Sequence, residues 1–321
     1  MQPLVAILSN PGSTTNRKSL PAVRAFIEKS SGIFHVEINK FDEIPEALLM
    51  CARANPTILV INGGDGTIQA TLSALIHNRP FGKNPPPVAV LPGGKTNMIA
   101  KDIGMRGSTV RALQQISELT LSGQIDSKKT KRALIGLDLG DGSPVTYGMF
   151  FGASGIVSGI DACRKYVYPM KLPNILSHIM TTLLVFFGVI VQGNSEKSFV
   201  HAPMTRVQVK GGGYIDGRFL VIMVTTLNRL IMGIDPFSAM GEGKLKFTAI
   251  EHSRRTFFRS MLALLFGRMG KAVINGVHYR RSDVIRVYTR EQVTLDGEMF
   301  MPHEDTPITL DGHEVMEFVG L

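Results

Sequence analysis

The chain contains no tryptophan, only two cysteines, and aromatic residues at just 7% of its 321 positions. Two thiols, Cys51 and Cys163, supply neither a disulfide framework nor a cysteine-rich metal cluster, which fits a reducing compartment and packed, inert side chains. With so few rings, and none interleaved among the basic residues, the chain offers no stacking platform. No groove-reading motif is present either, so nucleic acid is excluded as a partner despite the formal net charge of +9. Spanning runs are missing too. Leu176 to Val191 is almost wholly apolar, but its 16 residues fall short of the roughly 20 that cross a bilayer, and it contains His178, Thr181 and Thr182. It reads as a buried or half-buried helix. Met1 to Asn10 lacks a basic stretch followed by a signal-type apolar core, and Leu4 to Leu8 reads as a first buried strand, so a cytoplasmic protein is expected.

What the chain does have is ample core material, 44% apolar residues, enough for one large or two ordinary domains. With nucleic acid set aside, the positive charge suits phosphorylated substrates or an anionic membrane surface. Arg254 to Lys271 sets Arg254, Arg255, Arg259, Arg268 and Lys271 among large apolar residues. Such a segment either lies in a bilayer interface with its arginines among headgroups or packs on its own domain with its charges in water.

Periodicity divides the chain in two. Up to about residue 125, short apolar runs (Leu4 to Leu8, Ile58 to Ile61, Val88 to Leu91) alternate with helical stretches (Leu20 to Lys29, Pro45 to Ala54, Ile68 to Ile76, Thr109 to Leu119). That is the pattern of a doubly wound α/β sheet. The basic stretch Ser127 to Arg132 reads as a linker. Beyond it come strand-like runs: Arg132 to Leu139, Val145 to Phe151, Thr205 to Val209, Gly217 to Thr225, Lys244 to Ile250, Val284 to Tyr288 and Gln292 to Leu295. With two helical insertions, they predict a β-sandwich.

Three motifs carry chemistry. The run Ile58 to Val60 leads into Ile61-Asn62-Gly63-Gly64-Asp65-Gly66-Thr67, a strand ending in a glycine turn before a helix that starts at Thr67. Gly63, Gly64 and Gly66 are free to take positive φ and present N–H groups to a phosphate, the helix dipole favours an anion, and Asp65 can orient a cation or a reacting hydroxyl. An ATP-dependent phosphotransferase follows as the leading idea. The strand Val88 to Leu91 leads into a second such turn, Pro92-Gly93-Gly94-Lys95-Thr96-Asn97. It is not a Walker P-loop, because Ala89 stands where that motif needs glycine. Two turns of this kind can converge on one ligand above a parallel sheet. The third motif, Asp296-Gly297-Glu298, pairs two carboxylates that suit deprotonation of an attacking hydroxyl, or is a plain Asp-Gly hairpin turn.

In this order and spacing the three motifs resemble the diacylglycerol kinase catalytic-domain family of bacterial lipid kinases, which is related to sphingosine kinases and NAD kinases. The resemblance covers most of the chain, taking in Ser9-Asn10-Pro11, Phe151 to Gly155, Asn228-Arg229 and Gly241 to Leu245. It implies an ATP-binding catalytic domain over 1–126, joined by a returning segment 302–321, and a β-sandwich lipid-substrate domain over 131–301. It also implies a kinase of phospholipid metabolism that moves the γ-phosphoryl of ATP, with Mg²⁺, to a lipid hydroxyl such as that of diacylglycerol. Carried over by position, Asn10, Asn39, Gly63, Gly64, Asp65, Gly66, Thr67, Gly94, Thr96 and Asn97 form the nucleotide site. Asp296 is the general base, Glu298 is the alternative base, and Asp65 joins them at the reacting centre. Asp65 and Glu242 are the metal candidates, Glu242 standing where some relatives carry an aspartate. Lys95 and Met98 depart from the family's usual threonine and aspartate. The expected setting is the inner face of the membrane, touched transiently as a peripheral protein, as monomer or homodimer. An NAD-kinase-like enzyme and a lipid- or nucleotide-binding module without turnover are the competing readings.

Overall fold

Apolar runs of five or six residues, too short for helices and closed by turn residues, become fully buried parallel strands in the first of two compact units. The computed structural model describes residues 4–105, 107–162, 202–230, 241–270 and 273–321. Cys163 and Leu176 to Val191 lie outside the described residues. One unit comprises Met1–Arg132 with Val315–Leu321, the other Ala133–Glu314.

The first unit is a six-stranded sheet in the order β2-β1-β3-β4-β17-β5. Its strands are β1 (Val5–Ser9), β2 (Ile33–Glu37), β3 (Ile58–Gly63), β4 (Val88–Pro92), β5 (Lys129–Ala133) and β17 (Val315–Val319). Every residue of β1 and β3 is buried, as expected of parallel strands covered on both faces, whereas outer strand β2 is half-buried throughout. Helices α1 (Asn16–Glu28), α2 (Ile44–Arg53), α3 (Asp65–Asn78), α4 (Met98–Ile103) and α5 (Thr109–Leu121) complete it, with α1 packed on α5 and α2 on α3. Helix α3 begins two residues before the expected Thr67. The chain steps from β1 outward to β2 and then back across to β3, so the strand order reverses at the carboxyl ends of β1 and β3. Ser9 pairs with Asn62, and Gly63 with Pro92, which sets the three strand ends level at that switch point.

Two expectations are corrected here. The basic linker of 127–132 is instead a short 3-10 turn running into β5, an edge strand whose Lys129 and Lys131 lie 3.9 and 4.0 Å from Glu317 of β17. Alternating charged residues read as a linker, yet they are what an exposed edge strand carries. The return to the first unit is Val315–Leu321, not 302–321, because β16 (Ile308–Asp311) pairs with strands of the second unit.

The second unit is antiparallel. It holds β6 (Ile135–Asp138), β7 (Thr146–Gly148), β8 (Phe150–Ser154), β9 (Met204–Val209), β10 (Gly213–Thr225), β11 (Leu245–Glu251), β12 (Val277–Ser282), β13 (Val284–Tyr288), β14 (Val293–Leu295), β15 (Glu298–Phe300) and β16. The long strand β10 belongs to two sheets: its first half pairs with β9, its second with β8 and β11, and the register shifts between Phe219 and Val221. Side chains from both sheets, among them Phe151, Phe219, Phe247, Ile285 and Leu310, share one core, so the fold is the expected α/β unit plus a β-sandwich. A helix at Gly155–Ala162 and another at Arg254–Leu265 interrupt it. No described helix is long and apolar enough to cross a membrane. Burial pushes the Cys51 thiol up to about 11, in keeping with an inert packed side chain.

Candidate active site

Three loops leave the carboxyl ends of β1, β3 and β4 and are tied together by short polar side chains. The buried Asn16, at the start of α1, donates from Nδ2 to the carbonyls of Asn10 (2.9 Å) and Asn62 (2.8 Å), bracing the ends of β1 and β3. Asn10 donates from Nδ2 to Thr67 Oγ1 at 2.9 Å, while its Oδ1 accepts the Gly12 N–H, also at 2.9 Å. Ser13 Oγ accepts the Gly64 N–H at 3.1 Å. Thr15 reaches the second glycine turn, its N–H on the Gly93 carbonyl at 3.0 Å and its hydroxyl on the Gly94 carbonyl at 2.5 Å.

The glycines are required for closeness. Positive φ is absent at Gly63, Gly64, Gly66, Gly93 and Gly94, contrary to the expectation for the first turn. A Cβ on Gly94 would stand 2.6 Å from the Gly64 Cα, and one on Gly93 would stand 2.9 Å from the backbone N and O of Gly63. The two turns therefore touch backbone to backbone, an approach that no side chain allows. The left-handed residue is Asn97 (φ 51°), whose side chain clasps Gly94 by accepting its N–H (2.7 Å) and donating to its carbonyl (2.8 Å).

Asp65, in the first turn of α3, is held against the opening of α4. Burial raises its carboxyl to about 6, against the N–H groups of Ile99, Asn97 and Met98 and the charge of Lys101, which favour ionisation. Its Oδ1 is buried and has no hydrogen-bond partner among the described residues. Asp65 thus links the two glycine turns and keeps one carboxylate oxygen unsatisfied, which suits a cation carried in on phosphates. Gly66 and Thr67 lie in the first turn of α3, Thr67 beside Asn10, and Thr96 lies in the second glycine turn. Asn39 is separate, exposed after β2 with its N–H on Glu43 Oε2 at 2.8 Å.

The second unit places the third motif in a tight hairpin. Asp296 (φ 50°) and Gly297 (φ 93°) form the two-residue turn between β14 and β15. Asp296 is nearly buried, and its carboxylate accepts the N–H groups of Met149 (3.0 Å) and Phe150 (2.9 Å), while its own N–H bonds the Phe150 carbonyl at 2.8 Å. Gly148 makes room for it, since a Cβ there would lie 2.4 Å from Asp296 Oδ2. Glu298, two residues on in β15, is exposed. Glu242 is exposed in the loop before β11, and no group of three metal-ligating side chains occurs among the described residues.

Sequence reasoning missed Ser13, Thr15, Asn16 and Asn62. A polar run, Ser13-Thr14-Thr15-Asn16, directly after a strand end was the available signal. It also missed the chain His35 Nε2 to Ser9 Oγ (2.9 Å) to Asn62 Nδ2 (3.1 Å) beneath the site.

Residues 4–127 match the family model for the diacylglycerol kinase catalytic domain. No curated protein sequence matched significantly. Among solved structures, one described as a candidate diacylglycerol kinase from Bacillus anthracis str. Sterne is 14% identical with a TM-score of 0.66, over 99% of this chain and 97% of that one. A second candidate diacylglycerol kinase structure from that organism is 15% identical at the same TM-score and coverage. A third, described as a diacylglycerol kinase of the same strain, is 13% identical with a TM-score of 0.58 over the same shares of both chains.

Proposed function

We propose that the chain, whose residues 4–127 match the family model for the diacylglycerol kinase catalytic domain, transfers the γ-phosphoryl of ATP to the hydroxyl of a lipid such as diacylglycerol. The observation that carries this reading is the backbone contact between the Gly63-Gly64 and Gly93-Gly94 turns at the sheet's switch point. Such a surface, with no side chain in the way, is what a polyphosphate needs to approach main-chain N–H groups. In this reading Gly63 to Thr67, Gly94, Thr96 and Asn97 line the nucleotide, Asn10 holds the first turn to β1, and Asn39 contributes from the loop after β2.

The chemistry is an in-line displacement. The acceptor oxygen forms a bond to the γ-phosphorus as the bond to the β,γ-bridging oxygen breaks, ADP leaves, and the hydroxyl proton passes to a carboxylate. Asp296 takes that proton in our assignment, with Glu298 as the alternative. The N–H groups of Met149 and Phe150 fix the orientation of the Asp296 carboxylate. A magnesium ion bound with ATP would supply charge neutralisation, and Asp65 Oδ1 would be the oxygen that holds it. Glu242, exposed in the loop before β11, is the second metal candidate in this assignment.

The test is turnover of γ-labelled ATP against diacylglycerol, monoacylglycerol, a sphingoid base, ceramide and phosphatidylglycerol in mixed micelles, with NAD as control acceptor and Asp296→Asn as blank. Label on a lipid, lost in the variant, is expected. Label on NAD alone moves the protein to the NAD-kinase reading, and no labelled product with any acceptor favours a binding module.

A further inference from the structure

The helix Arg254–Leu265 carries some of its large apolar residues on the side away from its core. Thr256, Ser260 and Ala263 face inward and are buried, whereas Phe258 is 54% exposed, Leu262 39% and, one residue past the helix end, Phe266 72%. At about 100° per residue, Phe258, Leu262 and Phe266 fall within roughly 80° of one another, with Arg255 in the same arc and Arg254 and Arg259 on its two sides. Arg254, Arg255 and Arg259 are all exposed, and no acidic residue occurs between Arg254 and Leu265.

The inward face already has its partners. Thr256 Oγ1 donates to the Asn275 carbonyl at 3.3 Å, and Gly276 packs so closely that a Cβ there would meet Thr256 Oγ1 at 2.6 Å. Ala263 and Leu264 join Met269, Ile274 and Tyr279 in a small satellite core. The helix is therefore anchored by small and mid-sized side chains, and the exposed rings add nothing to that anchor. An outward stripe of phenylalanine and leucine bordered by arginines matches a surface that is apolar beneath and anionic above.

We propose that this face docks the protein on an anionic lipid bilayer, Phe258, Leu262 and Phe266 entering the headgroup boundary and Arg254, Arg255 and Arg259 pairing with lipid phosphates. The proposal names the partner of the lipid kinase reading and rests on it for its purpose, but the docking itself is measurable without turnover. Each arginine near such a surface contributes about fivefold to partitioning, and the contribution is screened by salt.

The experiment is co-sedimentation of the whole protein with vesicles of phosphatidylglycerol and phosphatidylcholine, or of phosphatidylcholine alone, across a salt series. Two variants are compared, Phe258→Ser/Leu262→Ser/Phe266→Ser and Arg254→Gln/Arg255→Gln/Arg259→Gln. Wild-type binding to phosphatidylglycerol vesicles is expected, falling at least tenfold in either variant, with the arginine variant also losing salt dependence. Unchanged melting temperatures show that neither variant acts by unfolding. Equal binding by all three proteins, or wild-type indifference to phosphatidylglycerol, overturns the proposal. So does a dimer seen by sedimentation that the serine variant abolishes, because the face is then covered by a second copy. A protein that docks as expected yet phosphorylates no lipid refutes the kinase reading and leaves the docking face standing.

Discussion

Burial lifts the Asp65 carboxyl from its ordinary 3.8 to about 6, so between those values the folded chain keeps a proton that the unfolded chain has released. Stability from the neutral form is complete below about pH 4 and is lost as pH rises through about 6, by at most about 3 kcal/mol. Asp65→Asn, neutral at every pH, is expected to match wild type near pH 4 and to melt several degrees higher at pH 7. Parallel melting profiles across that range would remove the buried-carboxyl account. The glycines permit a second residue-level prediction. Gly94→Ala forces a Cβ to within 2.6 Å of the Gly64 Cα, so the two turns must part. We expect a loss of about 1–3 kcal/mol, as for other overpacked sites, together with loss of the thermal shift on adding ATP. Gly82→Ala is the control, because there the cost is conformational (φ +70°) and nothing lies within 4 Å of the added Cβ. It should lose about 1 kcal/mol and keep the ATP shift.

At the scale of elements, the hairpin joining β14 to β15 shows why its catalytic test must be chosen with care. Both turn residues have positive φ, the geometry of a type I′ turn and the usual reason for Asp-Gly. Here the aspartate side chain also satisfies the N–H groups of Met149 and Phe150, so Asp296→Ala leaves buried donors without an acceptor, at about 1–3 kcal/mol each. Oδ1 of an asparagine can accept from both donors, as Asp296 Oδ1 does now at 3.2 and 2.9 Å. We predict that Asp296→Asn, which keeps the Oδ1 contacts but sets an NH2 against the Met149 N–H, melts above Asp296→Ala and lacks turnover, whereas Asp296→Ala loses both stability and turnover. An asparagine variant with wild-type turnover would pass the role of base to Glu298. The same hairpin marks the limit of what the sequence showed. The dipeptide announced a turn, but the Met149 and Phe150 bonds depend on pairing across almost 150 residues, which no local pattern encodes. By contrast β1, β3 and β4 were legible because strands buried on both faces must be continuously apolar. Strand β5 was not, since an edge strand of lysines and threonine satisfies water rather than a core. Asn16 and Asn62 escaped notice for a related reason: a buried amide looks like any surface amide until its partners are known.

For the molecule as a whole, the consequential feature is the last short strand. The chain leaves the first unit after β5 and comes back only as Val315–Leu321, where β17 lies between β4 and β5. Phe318 and Val319 are fully buried and Met316 nearly so, which amounts to about 1.5–3 kcal/mol of burial for each side chain. The end is also fitted closely, since the Gly320 N–H donates to the Lys128 carbonyl at 3.2 Å and its Cα faces the Ile103 carbonyl so tightly that a Cβ would clash. That sum is comparable with the 5–15 kcal/mol that holds a whole domain. The region matched by the family, 4–127, is therefore not a folding unit. A fragment of residues 1–132 exposes the open side of β4 and leaves β5 without its neighbour, and we expect it to aggregate or to melt without a cooperative transition. Joining residues 312–321 to that fragment through a flexible linker of about ten residues should restore cooperative melting and the ATP-induced shift. The same linked fragment with Phe318→Ala should lose about 3–5 kcal/mol, because the ring is fully buried. Cooperative melting of residues 1–132 alone would show that the sheet closes without its last strand, and the proposed nucleotide site would then depend only on the loops after β1, β3 and β4.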